Sequence, residues 1–322
     1  MRKIIGLTLL ACLLSVLVFS ACSSSKTIDA NELKANSKTD AAYNTKYLQG
    51  LMDKASDEKA TIILPEGKFY FAEQETLFDG QETYAIKCRN NVTVTGAGTK
   101  TILYPIGEIG PDRSGGIDMF FFNDYRESNF TNPNYLENAN FNNFVIDGAN
   151  TKLSHYNTAG KGFMINLFKN CNFEKLIVRN IDATGIGIDC PVNSTIKDCI
   201  TENCGKSATL QDQGASGIGI GFGYSADESL TISNCQCFGS KKFGIFFEWQ
   251  GRWNSTTEKA YSHKDHKKFL IENCYASKNE FADLGGLYSY DVEYNNCFGD
   301  KYYFGPNSSG NLIDGKEYNG NK

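Results

Sequence analysis

The sequence has little proline (6 residues), three histidines and two tryptophans, and almost nowhere does it show the apolar periodicity of an amphipathic helix. A fold built mainly from strands is left. No CxxC pair occurs among the 11 cysteines, and Cys235 and Cys237 stand too close for an ordinary bridge, so neither a zinc framework nor a disulfide framework fits the spacing. Basic clusters are missing and the net charge is -5, which argues against nucleic acid or an anionic membrane surface as partner. Beyond Phe19 no run is apolar for long enough to cross a bilayer.

The N-terminus carries the one long apolar run. Arg2 and Lys3 precede Ile4 to Phe19, and Phe19-Ser20-Ala21-Cys22 closes it with small residues. This is the pattern of an export signal, to be set aside before any fold reasoning. Its end resembles the bacterial lipoprotein box, in which cleavage precedes a lipid-bearing Cys; Phe19 stands where Leu or Val is usual. The resemblance implies residues 1–21 as signal, Cys22 as lipidation site and 22–39 as a flexible polar tether. With Cys12 and Cys22 set aside, nine cysteines remain in the body.

Two repeated units run through the rest. One is a β-branched run ending in Asn or Asp and then Cys: Thr195-Ile196-Lys197-Asp198-Cys199, Thr231-Ile232-Ser233-Asn234-Cys235, Leu270-Ile271-Glu272-Asn273-Cys274 and Glu293-Tyr294-Asn295-Asn296-Cys297. The other begins with Gly and alternates: Gly162 to Asn166, Gly185 to Asp189, Gly217 to Gly221, Gly244 to Glu248 and, more weakly, Gly285 to Ser289. Alternation over five residues marks strands with one face in a core. Two such strands recurring along roughly 280 residues fit a coil that winds and stacks on its predecessor.

From Thr61 to Phe304 these units are similar to the right-handed parallel β-helices of the pectate-lyase superfamily. The resemblance implies an all-β solenoid over 61–322, an asparagine ladder at the strand ends, and an inward stack of Cys199, Cys235, Cys274 and Cys297. It also implies an N-terminal capping helix over 40–60, where Ala41, Tyr47, Leu48, Leu51 and Met52 form the apolar face. Thr61-Ile62-Ile63-Leu64-Pro65-Glu66-Gly67 resembles the first coil. Gly107 to Asn140 reads as a long loop.

Parity then locates a site. If Ile186, Ile188, Ile218, Ile220, Ile245 and Phe247 point inward, the outward column is Asn166, Asp189, Gly221 and Glu248, with Ser289 as a further member. Coils about 4.8 Å apart put the Asp189 and Glu248 backbones about 9.5 Å apart, with space at Gly221 for a ligand. Paired carboxylates at about 6.5–9.5 Å suit an inverting glycoside hydrolase. Insertions beside the column bring Lys206 and Asp212, and Trp249, Arg252, Trp253, His263 and His266. The aromatic and Arg residues suit a sugar with an acidic substituent. The two histidines read as a charged loop tip, with a metal site as the alternative.

The Asn-Thr-Asp, Gly-His-Gly and Arg-x-Lys signatures of polygalacturonase-like hydrolases are absent, as is the Trp-x-Asp-His stretch of pectate lyases. The expectation is a monomeric, lipid-anchored surface protein that hydrolyses or eliminates a uronic-acid-containing or related polysaccharide. Elimination would use Lys206 or Arg252 as base and Ca²⁺ on carboxylates such as Asp189 or Asp212. A non-catalytic glycan binder and a structural spacer remain alternatives.

Overall fold

The computed structural model describes residues 26–77, 82–109, 116–124, 134–153, 156, 159–250, 266–305 and 307–318. Cys22, Arg252, Trp253 and His263 lie outside them. The chain winds as the expected parallel β-helix, with three long sheets, numbered in the order the first coil meets them, of 11, seven and 10 strands. Among the described residues the strands pair in parallel along them except in two hairpins, Glu75–Leu77 with Glu82–Lys87 and Leu312–Ile313 with Lys316–Glu317, and Ala35 adds an antiparallel bridge to Phe69.

Parallel register puts like side chains on like. In the first sheet Ile62, Val94, Phe141, Phe173, Ile196, Ile232, Ile271 and Tyr294 form one inward file. Phe120, Phe163, Ile186, Ile218, Ile245 and Leu284 form another in the third sheet. All are buried, each contributing about 1.5–3 kcal/mol of apolar transfer. The parity assigned from sequence therefore holds.

The corners keep that register. Asn180, Asn193, Asn203, Asn234 and Asn296 all have positive φ, a conformation Asn adopts more readily than most residues. Their amides bond from coil to coil, Asn203 Nδ2 to Asn180 Oδ1 at 2.9 Å and Asn180 Nδ2 to Asp147 Oδ1 at 2.9 Å. Asn193 donates to Asn170 at 2.8 Å and Asn296 to Asn273 at 2.7 Å on other corners. Beside one ladder stack Cys171, Cys199, Cys235, Cys274 and Cys297, all buried and free. Each thiol donates to carbonyl oxygens, as Cys199 does to Phe173 O at 3.5 Å.

The helix Ala41–Glu58 buries Ala41, Leu48, Met52 and Ala55, while Tyr47 and Leu51 pack half-buried on the core. It stops at Lys59, whose φ of 51° turns the chain into the first coil. Two expectations need correction. Part of the tether is structured: Thr27–Asp29 pairs with Thr61–Ile63 and covers the first coil's edge. The loop expected over Gly107 to Asn140 contains the core strand Ile117–Phe122, paired with Phe163–Lys169. Its outward Phe121 is covered by Tyr84, at 4.8 Å between ring centres, so alternation is lost from the sequence.

Asn180 tests the corners. Asn180→Ala should lower stability by about 2–4 kcal/mol, from left-handed strain and two lost ladder bonds, and Asn180→Gly should recover the strain part. Denaturant unfolding measures both; equal losses would show that backbone conformation plays no part.

Candidate functional site

On the outer face of the third sheet two files of alternate residues lie side by side. One runs Met164, Gly187, Gly219, Phe246, Gly285, Tyr303, and the other Asn166, Asp189, Gly221, Glu248, Leu287. Asp189 and Glu248 thus stand two coils apart on one face, as the sequence implied. Ser289 does not join them. The fifth Gly unit is shifted, so that Gly285 faces Phe246, and Ser289 is buried with its hydroxyl donating to Asn311 Oδ1 at 2.9 Å.

The space at Gly221 has a different use from the one expected. A Cβ there would collide with the Gln250 amide and with Asp189 Oδ1. The Gly221 amide donates to Asp189 Oδ1 at 2.8 Å and Gln250 Nε2 donates to the same oxygen at 3.2 Å. Glycine is needed so that backbone and Gln250 can both reach the carboxylate. Burial pushes the Asp189 carboxyl above its ordinary range, and Lys161, Gly221 and Gln250 oppose the rise.

Sequence reasoning missed two lysines that flank these files. Lys161 lays its side chain over Gly187, where a Cβ would be 2.6 Å from its Cδ. The buried Asp118 fixes the turn beneath, accepting from Gly160 N at 3.0 Å and Lys161 N at 2.7 Å. Lys242 donates to the Asp212 carbonyl. Burial lowers the Lys242 ammonium from its ordinary value, and the Asp212 and Glu248 carboxylates oppose that. Gly160-Lys161-Gly162 and Lys242, two residues before Gly244, were the available signals. Tyr156 joins the same wall, donating to Gln213 O at 2.6 Å, and burial raises its phenol.

The other expected residues are placed as follows. Asp212 lies on the wall with Oδ2 accepting from Thr209 N at 2.7 Å and Thr209 Oγ1 at 2.9 Å. Lys206 is committed elsewhere: its ammonium donates to Gly148 O and Thr151 O at 2.7 Å each and pairs with the buried Asp182 at 3.2 Å. A base role would require breaking that cluster, so Lys206 is better read as structural. Trp249 follows the inward parity of Ile245 and Phe247, packing on the core and edge-on to Tyr290 at 6.2 Å, and is not a groove aromatic. Asn166 Nδ2 donates to Asn123 Oδ1 at 3.2 Å, and its own buried Oδ1 has no protein partner among the described residues. His266 contacts Tyr290 O at 2.9 Å and packs on Phe269, 4.5 Å between ring centres, in place of a loop-tip position.

Among the described residues no three His, Cys, Asp or Glu side chains converge as metal ligands. Asp189 Oδ1 accepts two N–H groups and Asp212 Oδ2 accepts two donors from Thr209, so the second oxygen of each carboxylate is the one without a hydrogen bond among the described residues.

No protein-family model matches the chain, and no curated protein is similar to it in sequence. Solved structures are similar in fold. The tailspike protein of E. coli bacteriophage HK620, solved as a mutant with a pentasaccharide, superposes with a TM-score of 0.53 at 13% identity. The match covers 84% of this chain and 46% of the tailspike, so this chain spans under half of that protein. The Azotobacter vinelandii mannuronan C-5 epimerase AlgE4 A-module gives 0.48 at 11% identity, covering 89% of this chain and 94% of the module. PfbA, a surface adhesin of Streptococcus pneumoniae, gives 0.44 at 11% identity over 89% of this chain and 74% of its own.

Directly behind Asp189, Cys190 meets a buried acid. The Glu228 carboxylate accepts from Gly223 N at 2.6 Å, Tyr224 N at 2.8 Å and Ser225 N at 3.1 Å. Burial outweighs these donors and the Cys190 contact, and pushes the carboxyl up to about 7 from 4.5. Folding therefore favours the protonated acid. The stability it contributes is full below about pH 4.5 and is lost as pH rises through about 7. Thermal unfolding across that range should show a decline that flattens in Glu228→Gln; an unchanged slope in the variant would assign the decline to other groups.

Proposed function

We propose that the groove over Gly187 and Gly219 binds a glycan and that Asp189 and Glu248 hydrolyse a glycosidic bond in it. The reading is carried by one observation, the register that sets both carboxylates on one outward file two coils apart with Gly221 between. Two strand spacings amount to about 9.5 Å, within reach of the separation used by inverting enzymes once side chains are added. Asp189, with its raised carboxyl, supplies the acid for the leaving oxygen. Glu248 takes the proton of the attacking water. Lys161 and Lys242 offer cations for an acidic substituent such as a uronate, and the tailspike of similar fold is itself in complex with a pentasaccharide.

Gln250 favours a second reading. Its amide sits over Gly221, between the two carboxylates, where a water or sugar oxygen would act. Held there, it would make the file a non-catalytic site for sugar hydroxyls. Asp189→Asn and Glu248→Gln decide between them. Each should abolish release of reducing ends from a polysaccharide panel while leaving the melting temperature within a few degrees. Full activity in either variant would falsify the hydrolytic assignment. Glycan binding by the parent chain without any product on long incubation would establish the binder.

We further infer that the chain is exported, carries lipid on Cys22 and works as a single copy at the membrane or cell surface. Support comes from Arg2, Lys3, the apolar run to Phe19 and the small residues before Cys22. Incorporation of labelled fatty acid should be lost in Cys22→Ser; label retained in that variant would refute the anchor.

A further inference from the structure

An aromatic cluster lies outside the core at the C-terminal side of the groove. Phe243 is buried (1% exposed), yet it belongs to no part of the solenoid's interior file. What covers it is a set of outer rings: Phe246 at 4.7 Å between centres, Phe281 at 5.2 Å and Tyr303 at 6.4 Å, with Phe281 and Tyr303 4.9 Å apart. Phe281 is 38% exposed, and Phe246 and Tyr303 are partly so.

Placement ties this cluster to the acidic file. Phe246 is on the same strand as Glu248 and next to Gly219 in the neighbouring file. Gly285 separates Phe246 from Tyr303, leaving a position without a side chain between two rings. The Phe281 amide donates to the Lys242 carbonyl at 3.2 Å, so the aromatic edge follows directly on Lys242, which immediately precedes the strand carrying Glu248. Along the solenoid axis the coil of Gly187 and Asp189 is followed by that of Gly219 and Gly221, then by the coil that carries Lys242, Phe246 and Glu248, and then by Phe281 and Tyr303.

We propose that Phe246, Phe281 and Tyr303 form a sugar-stacking subsite, so that a glycan chain lies along the axis with a pyranose ring on these aromatics beyond Glu248. This rests on the groove being a glycan site. Sugar rings present an apolar C–H face that aromatic side chains cover at little entropic cost, while hydroxyls turn to the carboxylates and amides alongside. From the Gly187 coil to the Tyr303 coil is four strand spacings, about 19 Å, longer than a single ring, so the occupant is an oligosaccharide or an internal stretch of polymer.

Exposed aromatics elsewhere provide the control. Tyr275 and Phe298 are 46% and 59% exposed but belong to the second sheet and its edge. Electrophoresis of the purified chain through gels cast with polygalacturonate, alginate or xyloglucan reads affinity directly. For whichever polymer retards the parent, Phe281→Ala and Phe246→Leu should weaken binding by about tenfold and about threefold, with unchanged melting. Tyr275→Ala should bind as the parent does. Parental retardation of both Phe281→Ala and Phe246→Leu overturns the subsite, even if Asp189→Asn is inactive. If Asp189→Asn keeps full activity while Phe281→Ala binds weakly, the hydrolytic reading fails and the subsite stands. No retardation of the parent by any of the three polymers overturns both.

Discussion

Each coil must present to the next the same inward face, because a slip of one residue would turn a whole file of Ile and Phe toward water. The corner residues enforce this. A left-handed residue after a short strand turns the chain within one position, and an Asn there reaches the coil above through its amide, as Asn203 does to Asn180 and Asn180 to Asp147. The buried thiols beside one ladder fill the inner side of the turn and donate to its carbonyls, which a Ser would also do at a greater desolvation cost. Fixed corners leave strand length and loop length free to vary between them.

That freedom shapes the outer face. Residues 205–215 lead into the third sheet at Ile218–Phe222, and the outward files of that sheet carry no side chain at Gly187, Gly219 and Gly221. Larger outward residues, Met164 on one side and Phe246 on the other, flank Gly187 and Gly219, and Lys161 lies over Gly187. The same sheet that must be uniform inward is thus differentiated outward, its glycines taking the side chains of Lys161 and Gln250.

Most of the solenoid was legible because stacked strands repeat their chemistry. The inward pairs Ile186/Ile188, Ile218/Ile220 and Ile245/Phe247, the Asn corners and the Cys stack are each read from three or more copies, and these residues are found buried or at corners where the copies put them. Legibility failed where a coil is covered from outside. Ile117–Phe122 hid because Tyr84 and Met164 bury its outer face. It failed again where a repeat is degraded: Gly285 was aligned with the Gly that opens each unit, whereas the pairing gives that place to Asp283, beside the buried Ala282, and moves Leu287 into the acidic file. For the site, Asp189 and Glu248 were readable from parity alone. Lys161 and Lys242 were not, since they precede the alternating units, Lys161 folding back over Gly187 and Lys242 reaching the Asp212 carbonyl. Trp249 was misplaced by composition, its rarity outweighing a parity that already pointed it inward.

The two carboxylates are also unequal in a way that fits unequal roles. Both donors to Asp189, the Gly221 amide and the Gln250 side chain, meet Oδ1, and Oδ2 accepts no hydrogen bond among the described residues. A proton on Asp189 is therefore driven to Oδ2, since Oδ1 already faces two N–H groups. Burial makes that protonated form easier to keep than for a carboxyl in water. Glu248 stands beyond Gly221, and its charge is among those that hold up the Lys242 ammonium against burial. The asymmetry between the two oxygens of Asp189 is set by which neighbour each coil lends, the Gly221 amide from one coil and the Gln250 side chain from the next.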